Sequence, residues 1–187
     1  MNWKKIWNFI WNDNSIWSWL LNIVLAFILV KLIIYPGLGF LLGTAYPIVA
    51  VVSSSMEHPD GFESWWLQQS NLYDQLKISK SQFREFPLNN GFNKGDIMIL
   101  YSKNNLKQGD VIVFNGLTSD PIIHRIVIFN PDGTITTKGD NNQGIRPDEA
   151  RITKNNIIGK AIIRIPYLGW FKILFVYLID FLKSLVL

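Results

Sequence analysis

Ser55 stands in the run Val49-Ala50-Val51-Val52-Ser53-Ser54-Ser55-Met56, a short way along the chain from an apolar stretch long enough to cross a bilayer. A serine hydroxyl is a poor nucleophile until a base takes its proton, so the bases on offer decide what it can do. The chain has no cysteine, which excludes thiol catalysis, disulfides and zinc–thiolate sites and leaves an oxygen or an amine as nucleophile. It has two histidines. His124, in Ile122-Ile123-His124-Arg125-Ile126-Val127, lies in a β-like run whose apolar neighbours would hold the imidazole in one rotamer; taken alone, such a histidine is more often structural. His58 follows Ser55 closely, in a His-Pro-Asp turn, and reads as a loop residue. Lys138 could serve as base if desolvated, although it precedes a Gly-Asp turn and reads equally well as solvated. Asp140 and Asp148 could stand behind an imidazolium or simply brace the loop between them. The chemistry these types could perform together is acyl transfer, and their neighbourhood suggests a membrane-tethered hydrolase.

Positioning such residues needs a rigid body, and the sequence after Gly95-Asp96 supplies one. Short β-rich runs at Ile97–Tyr101, Asp110–Phe114, Ile122–Phe129, Thr134–Lys138 and Ile157–Ile165 are separated by turn signals at Lys107-Gln108-Gly109-Asp110, Asn130-Pro131-Asp132-Gly133 and Gly139-Asp140-Asn141-Asn142. A mainly β, antiparallel catalytic domain over residues 43–166 is the expectation. Residues 57–92 differ: polar residues mix with Trp65, Trp66, Tyr73, Phe83 and Phe86, which predicts an insert of short helices, one capped near Ser64 and one near Ser79. Its aromatics could enter a membrane interface, cap a cleft or form a satellite core. There are no internal repeats, and 187 residues leave room for one catalytic domain.

The flanks are apolar. Trp17 to Tyr35 has Asn22 and Lys31 as its only strongly polar members, and about 19 helical residues span roughly 28 Å, close to a bilayer's hydrocarbon thickness. Residues 16–42 are therefore expected to form a transmembrane anchor, with a cleavable signal peptide as the alternative. Before it, Trp3, Trp7 and Trp11 recur every four residues, so an amphipathic interfacial helix is expected within residues 1–15, with Lys4 and Lys5 favouring a cytoplasmic N-terminus. Residues 167–187 carry Lys172, Asp180 and Lys183 on one stripe of an otherwise apolar helix, which suits an interfacial helix better than a second crossing. The net charge of +4 is scattered rather than gathered, which excludes nucleic acid as a partner.

Several blocks, taken in order, carry more than any one residue. Leu42-Gly43-Thr44-Ala45-Tyr46-Pro47 and the run through Ser55, then Gly109-Asp110-Val111-Ile112-Val113-Phe114, His124-Arg125-Ile126, Lys138-Gly139-Asp140-Asn141-Asn142, and Gly159-Lys160 through Arg164-Ile165-Pro166-Tyr167-Leu168-Gly169 resemble type I signal peptidases. They cover most of the chain outside residues 1–15 and 57–92. Histidine at position 124, where bacterial members carry lysine, makes the resemblance closest to the archaeal type, similar to the catalytic subunit of the endoplasmic-reticulum signal peptidase complex.

That resemblance implies a membrane-bound serine endopeptidase that cleaves signal peptides from exported preproteins, with no cofactor and no metal. Ser55 would attack the scissile carbonyl, His124 would take and return the proton, Asp148 would stand behind the imidazole with Asp140 bracing the loop, and the Ser53 hydroxyl would join a backbone N–H at the oxyanion. Ser54 occupies a position where the family has glycine, which would strain the turn if glycine's left-handed freedom were needed there. Expected partners are the signal peptides of secretory preproteins, the lipid bilayer and, less directly, the protein translocation machinery. The expected location is the cell membrane, catalytic domain outside the cytoplasm. The alternatives are a processing peptidase of the same fold with Lys138 as base, and a catalytically inactive membrane-tethered binding module. A histidine base further predicts activity that is lost on acidification.

Overall fold

The computed structural model describes residues 2–117 and 120–185, in two compact units, Met1–Leu41 and Leu42–Leu187. Met1 of the expected interfacial segment and the last two positions of the expected C-terminal helix lie outside the described residues.

In the first unit, α1 (Trp3–Trp11) is followed by α2 (Ile16–Leu29), a π-helical turn over Val30–Ile34 and α3 (Tyr35–Leu42). Ser15 caps α2 by accepting a hydrogen bond from the Ser18 N–H. Ser18 Oγ donates to Phe9 O at 2.6 Å and Asn22 Nδ2 to Ile10 O at 2.9 Å, so the polar residues of the apolar stretch satisfy the carbonyls that α1 leaves open at its C-terminal end. The π turn precedes Pro36, which has no N–H and crowds the carbonyl four residues back; widening the helix there relieves both problems without ending it. Ile16–Leu42 runs as one continuous helix of 27 residues with a mean hydropathy of 2.3, long and apolar enough to cross a membrane.

The second unit is built on a six-stranded antiparallel sheet, β1 (Ile48–Ala50), β2 (Ile97–Tyr101), β3 (Val111–Asn115), β4 (Pro121–Phe129), β5 (Ile135–Lys138) and β6 (Ile157–Ile165), in the order β1-β2-β6-β3-β4-β5. Five of these strands lie where the alternating runs predict them. Three-residue β1, too short to announce itself, is an addition that exists because it pairs with distant β2. Gly95 and Gly109 both have φ of 91°, and each precedes an aspartate whose carboxylate accepts the backbone N–H three residues earlier, Asn93 for Asp96 and Lys107 for Asp110. Only glycine adopts that backbone cheaply, so these two turns set where β2 and β3 begin. Among the described residues, those in helices outnumber those in strands, because the N-terminal unit, the insert and the C-terminal helix are helical.

The insert forms α4 (Gly61–Gln75) and α5 (Lys80–Arg84). Ser79 caps α5 through Gln82 N, but α4 starts earlier than Ser64 suggests, at Asp60, whose φ of 57° turns the chain without a side-chain cap. Its aromatics make a satellite core: Trp65, Trp66, Tyr73, Ile78 and Phe83 pack with Val127 of β4. At roughly 1.5–3 kcal/mol for each large apolar side chain fully removed from water, this cluster is ample to hold the insert on the sheet. A second core of Val51, Met56, Phe92, Met98 and Leu100 lies under the Ser55 segment, and a third around Ile112, Phe114 and Ile126. The C-terminal helix, α6 (Trp170–Ser184), has 15 residues, about 22 Å, shorter than a hydrocarbon core. It docks only Ile173 fully and exposes Phe171, Phe175, Leu178 and Phe181.

Candidate active site

Successive side chains of a strand point to opposite faces, and β4 uses this at His124-Arg125. Both are buried, His124 at 3% exposure and Arg125 at 0%, yet they serve different networks.

His124 Nε2 lies 2.8 Å from Ser55 Oγ, although 69 residues separate them in the chain. Its Nδ1 bonds to Glu149 Oε1, and Glu149 is fully buried. An ionised carboxylate only accepts, so Nδ1 carries the proton and Nε2 is left with the lone pair that the Ser55 hydroxyl can donate to. Glu149 Oε2 accepts the Arg146 backbone N–H at 2.7 Å, closing a capping box around the 3₁₀ turn Pro147–Glu149 and leaving the carboxylate one orientation. Ser53 Oγ lies 3.1 Å from Ser55 Oγ. Ser54 is not among the described residues with positive φ, so serine in place of glycine costs no left-handed strain.

The acid behind the ring is therefore Glu149, and Asp148, expected there, is not. Asp148 pairs instead with the Arg146 side chain, at 3.3 Å from its Nε and Nη2. In a turn of three residues per revolution, neighbours point about 120° apart, so only one member of Asp148-Glu149 can face the imidazole. The sequence shows the adjacent acids Asp148 and Glu149 but not which of them faces the ring.

Asp140 also stands elsewhere, next to the other histidine. Its Oδ1 accepts from Tyr73 OH at 3.0 Å and Arg125 Nε at 2.9 Å; its Oδ2 accepts from His58 Nε2 at 3.0 Å and Arg125 Nη2 at 2.7 Å. Burial alone would raise this carboxyl, but the Arg125 guanidinium, with His58 beside it, outweighs burial and holds it well below the usual carboxylate range. Arg125 places its remaining N–H groups on Pro87 O, Gly109 O and Leu88 O, so all five donors of a fully buried guanidinium are used. His58 lies in a loop, as expected, but is buried there and stacked on Trp65 with ring centroids 3.7 Å apart.

Lys138 is buried, not solvated. Desolvation lowers its pKa to about 8, with Asp140 and Glu149 acting against the shift. Its three N–H groups go to Gln69 Oε1 at 3.1 Å, Gly139 O at 3.0 Å and Asp140 O at 3.1 Å. An ammonium donating three hydrogen bonds has no lone pair to offer, so the amine is committed to the loop rather than to a serine.

The loop after Lys138 completes the site. Asn141 N donates to Ser55 O at 2.8 Å and Asn141 Nδ2 to Ser54 O at 3.3 Å. A side chain on Gly139 would meet His124 Nε2 at 2.8 Å, so only glycine lets the loop lie against the base. A groove of about 810 Å³ opens over Ser55 and His124, walled by Ala50 and Val52 on one side and Ile122, Ile123, Ile145 and Pro147 elsewhere. No group of three or more histidine or acidic residues able to hold a metal occurs among the described residues.

A hydroxyl, an imidazole and a buried carboxylate in line make a nucleophile that can be deprotonated without forming an isolated ion. Over 175 residues, 87% of the chain, 26% of positions are identical to the signal peptidase complex catalytic subunit of Colletotrichum graminicola, covering 83% of that protein. The chain is similar to signal peptidase catalytic subunits. The catalytic subunit from Neurospora crassa is 34% identical over 95 residues, and the dog catalytic subunit 27% identical over 155 residues. The match spans just over half the length of the Neurospora relative, 55%, and 64% of the dog protein. No family model matches the chain.

Proposed function

We propose that the chain is a membrane-anchored serine endopeptidase that removes signal peptides from preproteins, with Ser55 as nucleophile, His124 as general base and acid, and Glu149 holding the imidazole. The observation that carries this reading is the continuous line Ser55 Oγ to His124 Nε2 at 2.8 Å, then His124 Nδ1 to buried Glu149. As Oγ attacks a scissile carbonyl, its proton passes to Nε2, and the imidazolium forms against a carboxylate already aligned to receive Nδ1–H. The carbonyl oxygen becomes an oxyanion beside Ser53 Oγ and the Ser55 N–H; one such donor is worth on the order of 3 kcal/mol in the transition state. The amide nitrogen leaves with the proton returned from Nε2, and water repeats the sequence on the acyl-serine.

A peptide substrate suits the groove. β5 pairs with β4 only from Arg125 onward, so the Pro121–His124 edge of β4 faces the groove available for an added extended strand. Apolar walls formed by Ala50, Val52, Ile122 and Ile123 would receive small apolar side chains next to the cut. The helix Ile16–Leu42 would anchor the enzyme, with Lys4 and Lys5 on the cytoplasmic side and the catalytic unit outside, where signal peptides emerge from the bilayer. The preprotein translocation machinery and further subunits are its natural neighbours in this reading.

The test is direct. Purified chain in detergent should cut a reporter preprotein at one site after a small residue, and a Ser55→Ala variant should leave it intact. A reporter untouched by the wild-type chain, or cut equally well by Ser55→Ala, overturns the proposal.

A further inference from the structure

The insert 57–92 makes a specific set of contacts that packing alone does not require. Trp65, Gln69 and Tyr73 recur every four residues along α4, so they lie on one face of that helix. All three end on the same loop: Trp65 Nε1 donates to Asp140 O at 3.1 Å, Gln69 Oε1 accepts from Lys138 Nζ at 3.1 Å, and Tyr73 OH donates to Asp140 Oδ1 at 3.0 Å. His58, at the start of the insert, adds its Nε2 on Asp140 Oδ2 at 3.0 Å and its stack on Trp65. On its other side the same loop meets the nucleophile's segment and the base. Asn141 N holds Ser55 O at 2.8 Å, Asp140 N points at Met56 Sδ at 3.3 Å, and bare Gly139 lies under His124 Nε2.

We infer that the insert is a clamp that sets the distance between nucleophile and base, with His58, Trp65, Gln69 and Tyr73 as positioning residues acting through the loop Lys138–Asn141. The inference rests on Ser55 and His124 being the reacting pair. Misplacing reacting groups by about 1 Å costs on the order of a hundredfold in rate, so a loop that bonds the carbonyl of the nucleophile itself must be held from behind. The sheet holds one end of it at Lys138, the last residue of β5; beyond that the polar stripe of α4, with His58 and Arg125, is what meets it. The stripe thus converts burial of an aromatic core into the position of a catalytic backbone.

Tyr73→Phe and His58→Phe each keep an aromatic ring in its place and remove one bond to Asp140. In the full chain, each should lower kcat on the reporter about tenfold with KM within twofold, and the double variant by more. Amide exchange at Asn141, whose N–H bonds Ser55 O, should quicken about tenfold. Ile78→Val, which trims the same aromatic core without touching the loop, should lower Tm comparably while leaving kcat and Asn141 exchange unchanged. Tyr73→Phe with wild-type kcat and wild-type exchange would overturn the clamp, as would Ile78→Val matching its kcat loss. The exchange measurement needs no substrate, so it judges the clamp even if the reporter is not cut at all.

Discussion

The two histidines are each bonded through one ring nitrogen to a fully buried carboxylate, yet only one sits in a reactive setting. At Asp140, Arg125 takes one position on each oxygen and neutralises the charge, Tyr73 and His58 fill what remains, and the far side of the His58 ring, Nδ1, is buried with no hydrogen bond. At Glu149 no guanidinium intervenes: one oxygen takes a backbone N–H, the other takes His124, and the far nitrogen of that ring meets a hydroxyl at the floor of an open groove. The charge that balances the acid decides the role. A carboxylate compensated by a bonded guanidinium braces a fold, whereas one bonded to an imidazole still to be protonated stabilises that protonation when a serine gives up its proton.

Breaking the reactive pair should therefore cost rate with the fold intact, whereas breaking the braced pair should cost stability together with the rate that depends on the loop it holds. Glu149→Gln keeps shape and removes the charge that orients the neutral tautomer; kcat on a signal-sequence reporter should fall on the order of 10³–10⁴-fold with Tm nearly unchanged. Gly139→Ala pushes a methyl group against His124 Nε2 and Asn142 and should cost on the order of 10–100-fold in kcat, measured on the same reporter. Asp140→Asn leaves Arg125 buried and uncompensated, and urea unfolding of the catalytic unit should register a loss of about 3–5 kcal/mol. Because Asp140 is held below the usual carboxylate range, its contribution is present above the ordinary aspartate value near 4 and is lost as pH falls below it; the wild-type chain should lose stability there more steeply than Asp140→Asn. Asp148→Asn touches only the pair with half-exposed Arg146 and should change kcat less than about threefold, which separates the two adjacent acids.

The unequal legibility of these two regions has physical causes. Alternation and Gly-Asp turns made most of the sheet readable, because they are local consequences of a half-buried strand and of a positive φ. Ser55 and His124 stood out because few nucleophiles and bases were on offer. Glu149 did not, since whether Asp148 or Glu149 faces a ring depends on the phase of a single 3₁₀ turn. Strand β1 needed β2 to exist, and α4 began at Asp60 because a left-handed residue can start a helix that no serine announces. Lys138 read as a base or a solvated strand end, His58 as a loop residue and Asp140 as a brace or an acid; what joins them is Arg125 and a helix stripe at 65, 69 and 73 that only the folded chain brings to them.

The most direct measurement is the rate at which purified His124→Ala cuts a signal-sequence reporter, beside the wild-type chain at the same detergent and salt. Ser55 activated by the β4 imidazole predicts a rate reduced at least a thousandfold, on the order of removing a triad base, with the fold intact by circular dichroism. A His124→Ala chain that cleaves at the wild-type rate contradicts it, and would return the role of base to another group.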